Sequence, residues 1–492
     1  MKYAIRYLSA FFLASSLMSL AQADQPNVLV ILVDDMGYGD AKCFNPDSKI
    51  DTPHIDKLAG EGMRFTDAHA PGPLCHMSRY GLMTGRYPFR TDVTKWPTEP
   101  LIDEGQETIA SFLRGEGYRT AMVGKWHLGF KENGYENPLP GGPVDRGFDS
   151  YFGIRASTDI PPYFYIRGNQ AVTPPTDRIE QRHTEGWSKI QGEFWREGGI
   201  APGLTLHDVL PRFTDEAIDV MESHVKGPRS EKPLMLYLAY PAPHTPWLPS
   251  EEFVGKSAAS MYGDFMMMVD HEIGRVLKAY DQNGLKEDTL VIFTSDNGPV
   301  WFDRDVERFG HDSSGGLRGM KSDAWEGGHR MPFIARWPAK VEAGTTSDQL
   351  VCFTDLLATF ADIHGAQLPR GAGPDSFSFL PALTGAKPKA TKVRESVVMK
   401  SGSGGLMTIR SGDWKFIEGK GSGGFSDRAD AGSDPLAAGN NRKKTYEGEP
   451  EAQLYLMSED IGEANNLFES NPEMVKRLRK EMAKIVDSGR SR

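Results

Sequence analysis

The sequence predicts an α/β fold with a large, mostly parallel or mixed central sheet that carries helices on both faces. Residues 27–33 form a continuous apolar, β-branched run, which is typical of a strand buried on both faces. Similar runs recur along the chain with helical patterns between them, as in a sheet built from strand–helix–strand units. Beyond about residue 396 the pattern changes to short strands, which predicts a small antiparallel sheet with one helix.

The elements of the α/β region follow in chain order. Thr52 and Pro53 are typical of a helix start, with Thr as N-cap and Pro in the first turn. The patterns predict further strands at 120–123, 233–240 and 289–294, and helices at 108–114, 204–225 and 258–280. Residues 155–203 are rich in aromatic and Pro residues, which fits either an insertion near a substrate mouth or a plain surface excursion.

The C-terminal region, residues 396–492, is predicted as a separate α+β subdomain after an α/β catalytic domain at 24–395. Its predicted strands lie at 397–399, 405–409, 414–417 and 453–457, and its helix at 472–487. The Gly- and Ser-rich stretch 419–441 is predicted as a long exposed loop.

Size and charge exclude several classes of protein. The chain has 492 residues, of which 39% are hydrophobic and 25% charged, as expected of a large globular enzyme. A net charge of -11 argues against a nucleic-acid-binding protein, so no nucleic-acid partner is expected. Three cysteines form no disulfide framework, and Cys43 and Cys352 have no evident role.

The first 23 residues are predicted to be a cleaved secretory signal peptide. Lys2 and Arg6 precede an apolar run at 7–20, and Ala-Gln-Ala at 21–23 is a cleavage site. The alternative is an uncleaved anchor. We therefore expect an exported protein, periplasmic or secreted, without a stable membrane anchor, since no later run is long and apolar enough to span a bilayer.

Polar side chains follow two of the buried strands. Asp34 and Asp35 come directly after the first strand, and Asp296 and Asn297 follow the strand at 289–294. In an open α/β sheet, ligands bind outside the carboxyl ends of the strands. An all-oxygen set suits Ca²⁺ or Mg²⁺. The alternative is that these are ordinary turn residues.

Candidate cations and a candidate nucleophile complete the pattern. Lys125, His127, His244 and Lys321 would together form a pocket for a tetrahedral oxyanion, although each alone is more often a surface or structural residue. Cys75 begins a short helical stretch with Arg79 one turn later, and a helix N-terminus and an Arg both favour an anion. The alternative for Cys75 is a buried free thiol.

Taken together, these motifs resemble type I sulfatases, the formylglycine-dependent, arylsulfatase-like members of the alkaline phosphatase superfamily. The matching segments occur in family order at 27–40, 52–56, 75–88, 124–127, 243–246, 295–298 and 319–328, with further similarity at 414–417 and 454–467. The resemblance implies an alkaline-phosphatase-like fold and the hydrolysis of sulfate esters.

The resemblance also implies the roles of individual residues. A maturation enzyme would oxidise Cys75 to formylglycine, whose hydrated aldehyde attacks sulfur. One Ca²⁺ ion would be bound by residue 75 together with Asp34, Asp35, Asp296 and Asn297. Arg79 would hold the nucleophile, and Lys125, His244 and Lys321 would bind the sulfate oxygens. His244 or Lys321 would protonate the leaving alcohol, and His127 would deprotonate the second hydroxyl to expel sulfate.

Three functions stay open on the sequence. The first is a sulfatase for a sulfated carbohydrate or polysaccharide, with His311 as a further substrate contact, or else a surface-loop residue. Sugar rings would then stack on tryptophans, with Trp187, Trp195, Trp247 and Trp301 as candidates. The second is a phosphate or phosphonate ester hydrolase. The third is a non-catalytic binding protein for sulfated glycans, because Met77 replaces the Pro or Ala of the maturation signal Cys-x-Pro-x-Arg.

Overall fold

A computed structural model describes residues 25–188, 190–228, 230–385, 392–402, 404–427 and 446–492. The predicted signal peptide lies outside the described residues. Within them, no helix combines the length and the apolar character needed to cross a membrane.

A ten-stranded mixed sheet organises the described part of the chain, as the sequence predicted. Its strand order is β13-β2-β12-β11-β1-β10-β4-β5-β6-β7. The bounds are β1 Asn27–Asp34, β2 Met63–Phe65, β4 Arg119–Lys125, β5 Ser150–Ile154, β6 Ile166–Arg167, β7 Gln170–Ala171, β10 Leu234–Pro243, β11 Thr289–Ser295, β12 Phe333–Arg336 and β13 Thr345–Ser347. Strands β11, β1, β10, β4 and β5 are mutually parallel, so their carboxyl ends share one edge.

Alternation along β1 explains why the sheet is covered on both faces. Val28, Val30 and Leu32 belong to one hydrophobic core, and Leu29 and Ile31 belong to the other. Because successive side chains of a strand point to opposite faces, a continuous apolar run requires apolar partners on each face.

Helices cover both faces. They are α1 Pro53–Gly60, α2 Cys75–Thr84, α3 Ile109–Gly115, α4 Val209–Val225, α5 Ser260–Gln282, α6 Asp303–Phe309, α7 Glu326–His329, α8 Leu356–Ile363, α9 Leu380–Thr384 and α10 Pro472–Asp487. Short 3₁₀ helices lie at Pro88–Arg90, Val93–Lys95, Pro143–Arg146, Leu206–Asp208 and Phe353–Asp355. The helix predicted at 204–225 therefore starts later, at Val209, after one 3₁₀ turn.

The first helix starts where predicted but is capped differently. Thr52 occupies the N-cap position without a side-chain capping bond. The carboxylate of Asp270, on α5, instead accepts hydrogen bonds from the backbone N–H groups of His54 and Ile55. A distant residue therefore satisfies the free donors of this helix end.

The C-terminal subdomain is a four-stranded antiparallel sheet with α10 packed on it, which confirms the predicted architecture. Its strands are β15 Ser396–Lys400, β16 Met407–Ser411, β17 Trp414–Ile417 and β18 Gln453–Leu456. Two small sheets pair β3 Ala68–His69 with β14 Val351–Cys352 and β8 Asp177–Ile179 with β9 Gly198–Ile200.

The prediction of a long exposed loop at 419–441 is wrong for part of its length. Residues 421–424 and Ser426 are buried, because this segment packs against the α/β region. The Ser426 backbone N–H and hydroxyl both donate to the Asp323 carboxylate, at 3.1 and 2.5 Å. Residues 428–441 lie outside the described residues.

Candidate active site

Four parallel strands bring predicted site residues to one edge of the sheet. Asp34 ends β1, Lys125 ends β4 and Asp296 follows β11, while His244 follows β10. Asp35 adopts a left-handed backbone conformation with φ 64°, and its N–H lies 3.3 Å from Asp296 Oδ1. This conformation is strained for a residue with a Cβ, and such strain clusters at functional sites.

Cys75 lies at the first position of α2, so the helix N-terminus faces it. Its Sγ donates to Asp34 Oδ1 at 3.3 Å. One turn later, Arg79 is fully buried, and its Nε and Nη2 lie 2.9 and 2.8 Å from Asp296 Oδ2. Arg79 Nη1 also donates to the Lys125 carbonyl at 2.8 Å, which joins the helix to β4.

Two lysines form ion pairs with the carboxylates. Lys125 Nζ pairs with Asp34 Oδ2, and Lys321 Nζ lies 2.6 and 2.7 Å from the two oxygens of Asp35. Asn297 Nδ2 donates to Asp35 Oδ1 at 2.6 Å. We call the residues assembled here the catalytic cluster: Asp34, Asp35, Cys75, Arg79, Lys125, His244, Asp296, Asn297 and Lys321.

Burial and charge act in opposite directions in this cluster. Burial would raise the pKa of Asp34, but Lys125, His244 and Arg79 outweigh it and hold that pKa well below its usual range. Burial and the neighbouring carboxylates of Asp296 and Asp34 raise the pKa of the Cys75 thiol well above its usual value. An unmodified Cys75 is therefore a protonated, weak nucleophile in this environment.

His127 follows Lys125 at the end of β4 and lies on an aromatic surface that the sequence analysis missed. Its backbone is left-handed with φ 60°, and its ring centroid is 4.3 Å from that of Trp96. The His76 ring also stacks on Trp96, with the two ring centroids 5.5 Å apart. Burial, followed by the charge of Lys125, lowers the pKa of His127 well below its usual value. A neutral imidazole is suited to accept a proton.

His244 lies between the carboxylate edge and the segment 155–203. Its Nε2 is 3.6 Å from Asp35 Oδ2, and its Nδ1 is 2.6 Å from the Thr245 carbonyl and 3.9 Å from Asp159 Oδ1. Asp159 was not selected from the sequence, since it lies in no motif there. The segment 155–203 therefore supplies at least one residue close to the site.

The donor set fits a hard divalent cation. Oxygens of Asp34 and Asp35, Cys75 Sγ and one His244 nitrogen all lie within 4.8 Å of one another. Asn297 Oδ1 is buried and has no hydrogen-bond partner among the described residues. An acceptor oxygen left free next to buried carboxylates is what a bound Ca²⁺ or Mg²⁺ requires.

His311 and the candidate tryptophans have partners within the described part of the protein. His311 is buried, with Nε2 2.8 Å from Asp40 Oδ1 and Nδ1 accepting from the Lys49 N–H, so it is not the surface residue that was the alternative, and its substrate contact stays a prediction. Trp187, Trp247 and Trp301 pack on one another with ring centroids 5.0 to 6.3 Å apart. Trp195 is only partly buried, and its Nε1 donates to the Glu180 carbonyl.

A second buried ionic cluster joins the catalytic domain to the C-terminal sheet. Lys415 Nζ, on β17, lies 2.9 Å from Glu326 Oε1 and 2.7 Å from Glu463 Oε1. The rings of His69 and His329 meet through their Nδ1 atoms at 3.0 Å. We call this set the junction cluster: Asp67, His69, Glu326, His329, Arg330, Arg410, Lys415 and Glu463.

Comparison with known proteins agrees with this geometry. The profile of the family named Sulfatase matches residues 26–366. An N-acetylgalactosamine-6-O-sulfatase of Bacteroides thetaiotaomicron is 33% identical over 96% of this chain and 94% of its own length. Arylsulfatase A of Bos taurus is 34% identical over 92% and 86%. A solved structure from work on glycosaminoglycan metabolism by Bacteroides thetaiotaomicron superposes with a TM-score of 0.78 at 32% identity, covering 94% of this chain and 99% of its own.

Proposed function

The chain belongs to the sulfatase family and is a sulfuric ester hydrolase, and we propose that it removes sulfate from sulfated carbohydrates with a formylglycine at residue 75 and one Ca²⁺ ion. The observation that carries this proposal is the position of Cys75, at a helix N-terminus 3.3 Å from Asp34 and surrounded by the other members of the catalytic cluster. That arrangement concentrates a nucleophile position, oxygen ligands and cations around one point.

Asp34, Asp35, Asp296 and Asn297 would hold the metal together with residue 75. The unpartnered Asn297 Oδ1 supports this assignment. When bound, the ion would neutralise negative charge on a sulfate oxygen and on the nucleophile.

Other side chains of the protein would bind the sulfate, position residue 75 and transfer protons. Lys125 and Lys321 already lie at the carboxylate edge, where their ammonium groups can bind sulfate oxygens. Arg79 holds Asp296 and contacts the Lys125 carbonyl, so it keeps helix α2 and residue 75 in place. His127, neutral and with Nδ1 unpartnered, would accept a proton from the nucleophile, and His244 would give a proton to the leaving oxygen.

The substrate class follows from the relatives rather than from the pocket. Matching proteins from Bacteroides thetaiotaomicron and from Mus musculus are named for sulfate at position 6 of N-acetylgalactosamine. We therefore propose 6-O-sulfated N-acetylhexosamines as the first substrates to test. We also propose that the protein is exported, since the sequence of residues 1–23 has the pattern of a signal peptide.

Mass spectrometry of the peptide around residue 75, on protein made together with a formylglycine-generating enzyme, tests the proposal. We expect formylglycine in the wild type despite Met77, and a higher formylglycine fraction in Met77→Ala. Met77 is the third residue of α2 and is buried, so Met77→Ala leaves a cavity, and its urea unfolding midpoint is measured beside the formylglycine fraction.

The same preparation should hydrolyse 4-nitrophenyl sulfate faster than 4-nitrophenyl phosphate and release sulfate from N-acetylgalactosamine 6-sulfate. Faster phosphate hydrolysis would contradict the proposal in favour of a phosphatase. Binding of sulfated sugars by fully formylglycine-containing protein, without turnover, would contradict it in favour of a binding protein.

A further inference from the structure

A buried carboxylate outside the catalytic cluster faces His244. Asp159 lies in the turn after β5, and its side chain is 7% exposed. One oxygen, Oδ2, pairs with Arg196, whose Nη1 also donates to the Asp159 carbonyl at 3.1 Å. The other oxygen, Oδ1, is buried without a hydrogen-bond partner in the described part of the chain and lies 3.9 Å from His244 Nδ1. Arg196 therefore holds the carboxylate with one oxygen left toward the histidine.

The contacts of His244 show which ring nitrogen carries a proton and which one faces the catalytic cluster. Nδ1 lies 2.6 Å from the Thr245 carbonyl, and a carbonyl only accepts, so Nδ1 carries a proton. Nε2, on the opposite side of the ring, is 3.6 Å from Asp35 Oδ2 and faces the catalytic cluster. The imidazole ring therefore connects Asp159 on one side with the reacting centre on the other.

We propose that Asp159 is a positioning residue that keeps the His244 ring turned with Nε2 toward the leaving oxygen of the substrate. The Thr245 carbonyl fixes the tautomer, and the Asp159 carboxylate, 3.9 Å from Nδ1, attracts the N–H side of the ring and so favours this orientation. The proposal rests on the proposed sulfatase function. In the step concerned, an oxygen of the hydrated formylglycine at residue 75 forms a bond to sulfur while the bond between sulfur and the sugar oxygen breaks. The electron pair of the broken bond stays on the sugar oxygen, which takes the Nε2 proton while Nδ1 keeps its own.

The role predicts a dependence on the leaving group. Protonation matters little when the leaving group is a stable phenolate and matters greatly when it is a sugar alkoxide, for which general acid catalysis contributes about 10²- to 10⁴-fold. Loss of orientation at His244 should therefore harm turnover of alkyl sulfates selectively. A merely structural defect would harm all sulfates equally.

The test compares kcat/KM for 4-nitrophenyl sulfate, phenyl sulfate and N-acetylgalactosamine 6-sulfate in the wild type and in Asp159→Asn. In Asp159→Asn we expect kcat/KM to fall by less than about 10-fold for 4-nitrophenyl sulfate and by about 10²- to 10³-fold for the sugar sulfate. The decrease for phenyl sulfate should lie between these two. Formylglycine content and bound Ca²⁺ are measured in each preparation, and only matched samples are compared.

Glu132→Gln is the matched control. Glu132 is also a buried carboxylate paired with an arginine, Arg155 at 2.6 Å, and it makes no contact with His244. We expect its losses to be equal across the three substrates. If Asp159→Asn fails to fold, Arg196→Met, at a side chain 40% exposed, releases the carboxylate and should give the same selectivity with a smaller loss of about 3- to 10-fold on the sugar sulfate.

Two outcomes would overturn the proposal. The first is an equal fold-loss on all three sulfates in Asp159→Asn, or in Arg196→Met where that variant is used. The second is a double variant, Asp159→Asn with His244→Asn, that is selectively slower than His244→Asn alone, because Asp159 would then act independently of the histidine. A wild type that hydrolyses none of the three sulfates would instead contradict the proposed function itself.

Discussion

The catalytic cluster and the junction cluster are both buried and ionic, and they resemble each other in charge. The catalytic cluster contains three carboxylates, Asp34, Asp35 and Asp296, and three cations, Arg79, Lys125 and Lys321. The junction cluster likewise contains three carboxylates and three cations, namely Asp67, Glu326, Glu463, Arg330, Arg410 and Lys415. Each cluster also holds histidines. Charge balance therefore does not distinguish a reactive site from a structural one.

The clusters differ in whether their histidine nitrogens have hydrogen-bond partners. In the junction cluster, all four ring nitrogens of His69 and His329 have hydrogen-bond partners within the described residues. At the active site, Asn297 Oδ1, His127 Nδ1 and Asp159 Oδ1 are buried without partners in that same part of the chain. The junction cluster also holds an unpartnered atom, Arg410 Nη1, so it is the free histidine nitrogen together with free amide and carboxylate oxygens that indicates a ligand site.

One segment connects the two clusters. Lys321 belongs to the catalytic cluster, and Glu326 and His329, a few residues later, belong to the junction cluster. Gly298, next to Asn297, packs so closely here that a Cβ would lie 1.8 Å from the Gly327 carbonyl oxygen. The junction cluster therefore supports the backbone from which Lys321 extends, and variants in each cluster should have separable effects.

Cys75→Ala should have the largest effect on activity. Removing the nucleophile position should lower kcat on an aryl sulfate by about 10⁴-fold or more, because the remaining groups cannot act without it. The midpoint of urea unfolding should change little. The control is Cys352→Ala, at a buried thiol away from the site, which should retain activity. Comparable activity loss in both variants would contradict the assignment of residue 75.

Lys415→Met should have the largest effect on stability. It leaves the buried carboxylates of Glu326 and Glu463 without their shared cation, which costs about 3–5 kcal/mol. Equilibrium unfolding in urea measures this loss, and kcat of the folded fraction should stay close to that of the wild type.

The matched control for this variant is Lys392→Met, which breaks an exposed pair with Glu395 and should change stability by less than about 1 kcal/mol. A Lys415→Met protein with normal stability but lost activity would place the junction cluster in catalysis, and the distinction between the clusters would fail.

Added Ca²⁺ should stabilise only through the catalytic cluster. At a concentration 100 times the dissociation constant, it should raise the free energy of unfolding of the wild type by about 2.7 kcal/mol. Lys415→Met should show the same increase from a lower starting value. Asn297→Ala removes an expected ligand oxygen and should need more Ca²⁺ for the same increase. A shift that disappears in Lys415→Met and persists in Asn297→Ala would place the ion in the junction cluster instead.

The sequence predicted the centre of the fold and most of the catalytic cluster because both follow local patterns. Buried strands have apolar sequences, and polar residues directly after parallel strands lie together at the carboxyl edge of the sheet. The edge strand β13 and its neighbour β2 have three residues each and were not predicted, since their pairing depends on distant partners such as β12.

The burial of individual polar residues and the identity of their distant hydrogen-bond partners could not be predicted from the sequence. His311 and Asp159 are both buried polar residues, yet only the structure shows that Asp40 engages the first and that the second keeps a free oxygen beside His244. The Gly- and Ser-rich composition around Ser426 indicated an exposed loop, but the Asp323 carboxylate holds this segment in the interior.

Ser426→Ala should have the smallest of these effects and links the two regions. The Ser426 hydroxyl and N–H donate to Asp323, and Asp323 Oδ2 accepts from the Met320 N–H at 2.8 Å, so the C-terminal subdomain supports the loop that carries Lys321. Loss of one hydroxyl should loosen Lys321 and raise KM for a sulfate ester about 3- to 10-fold, with kcat nearly unchanged. Ser411→Ala, which breaks a bond to Glu481 elsewhere in the same subdomain, should leave KM unchanged. Equal KM values in both variants would show that the subdomain does not position Lys321 through Asp323.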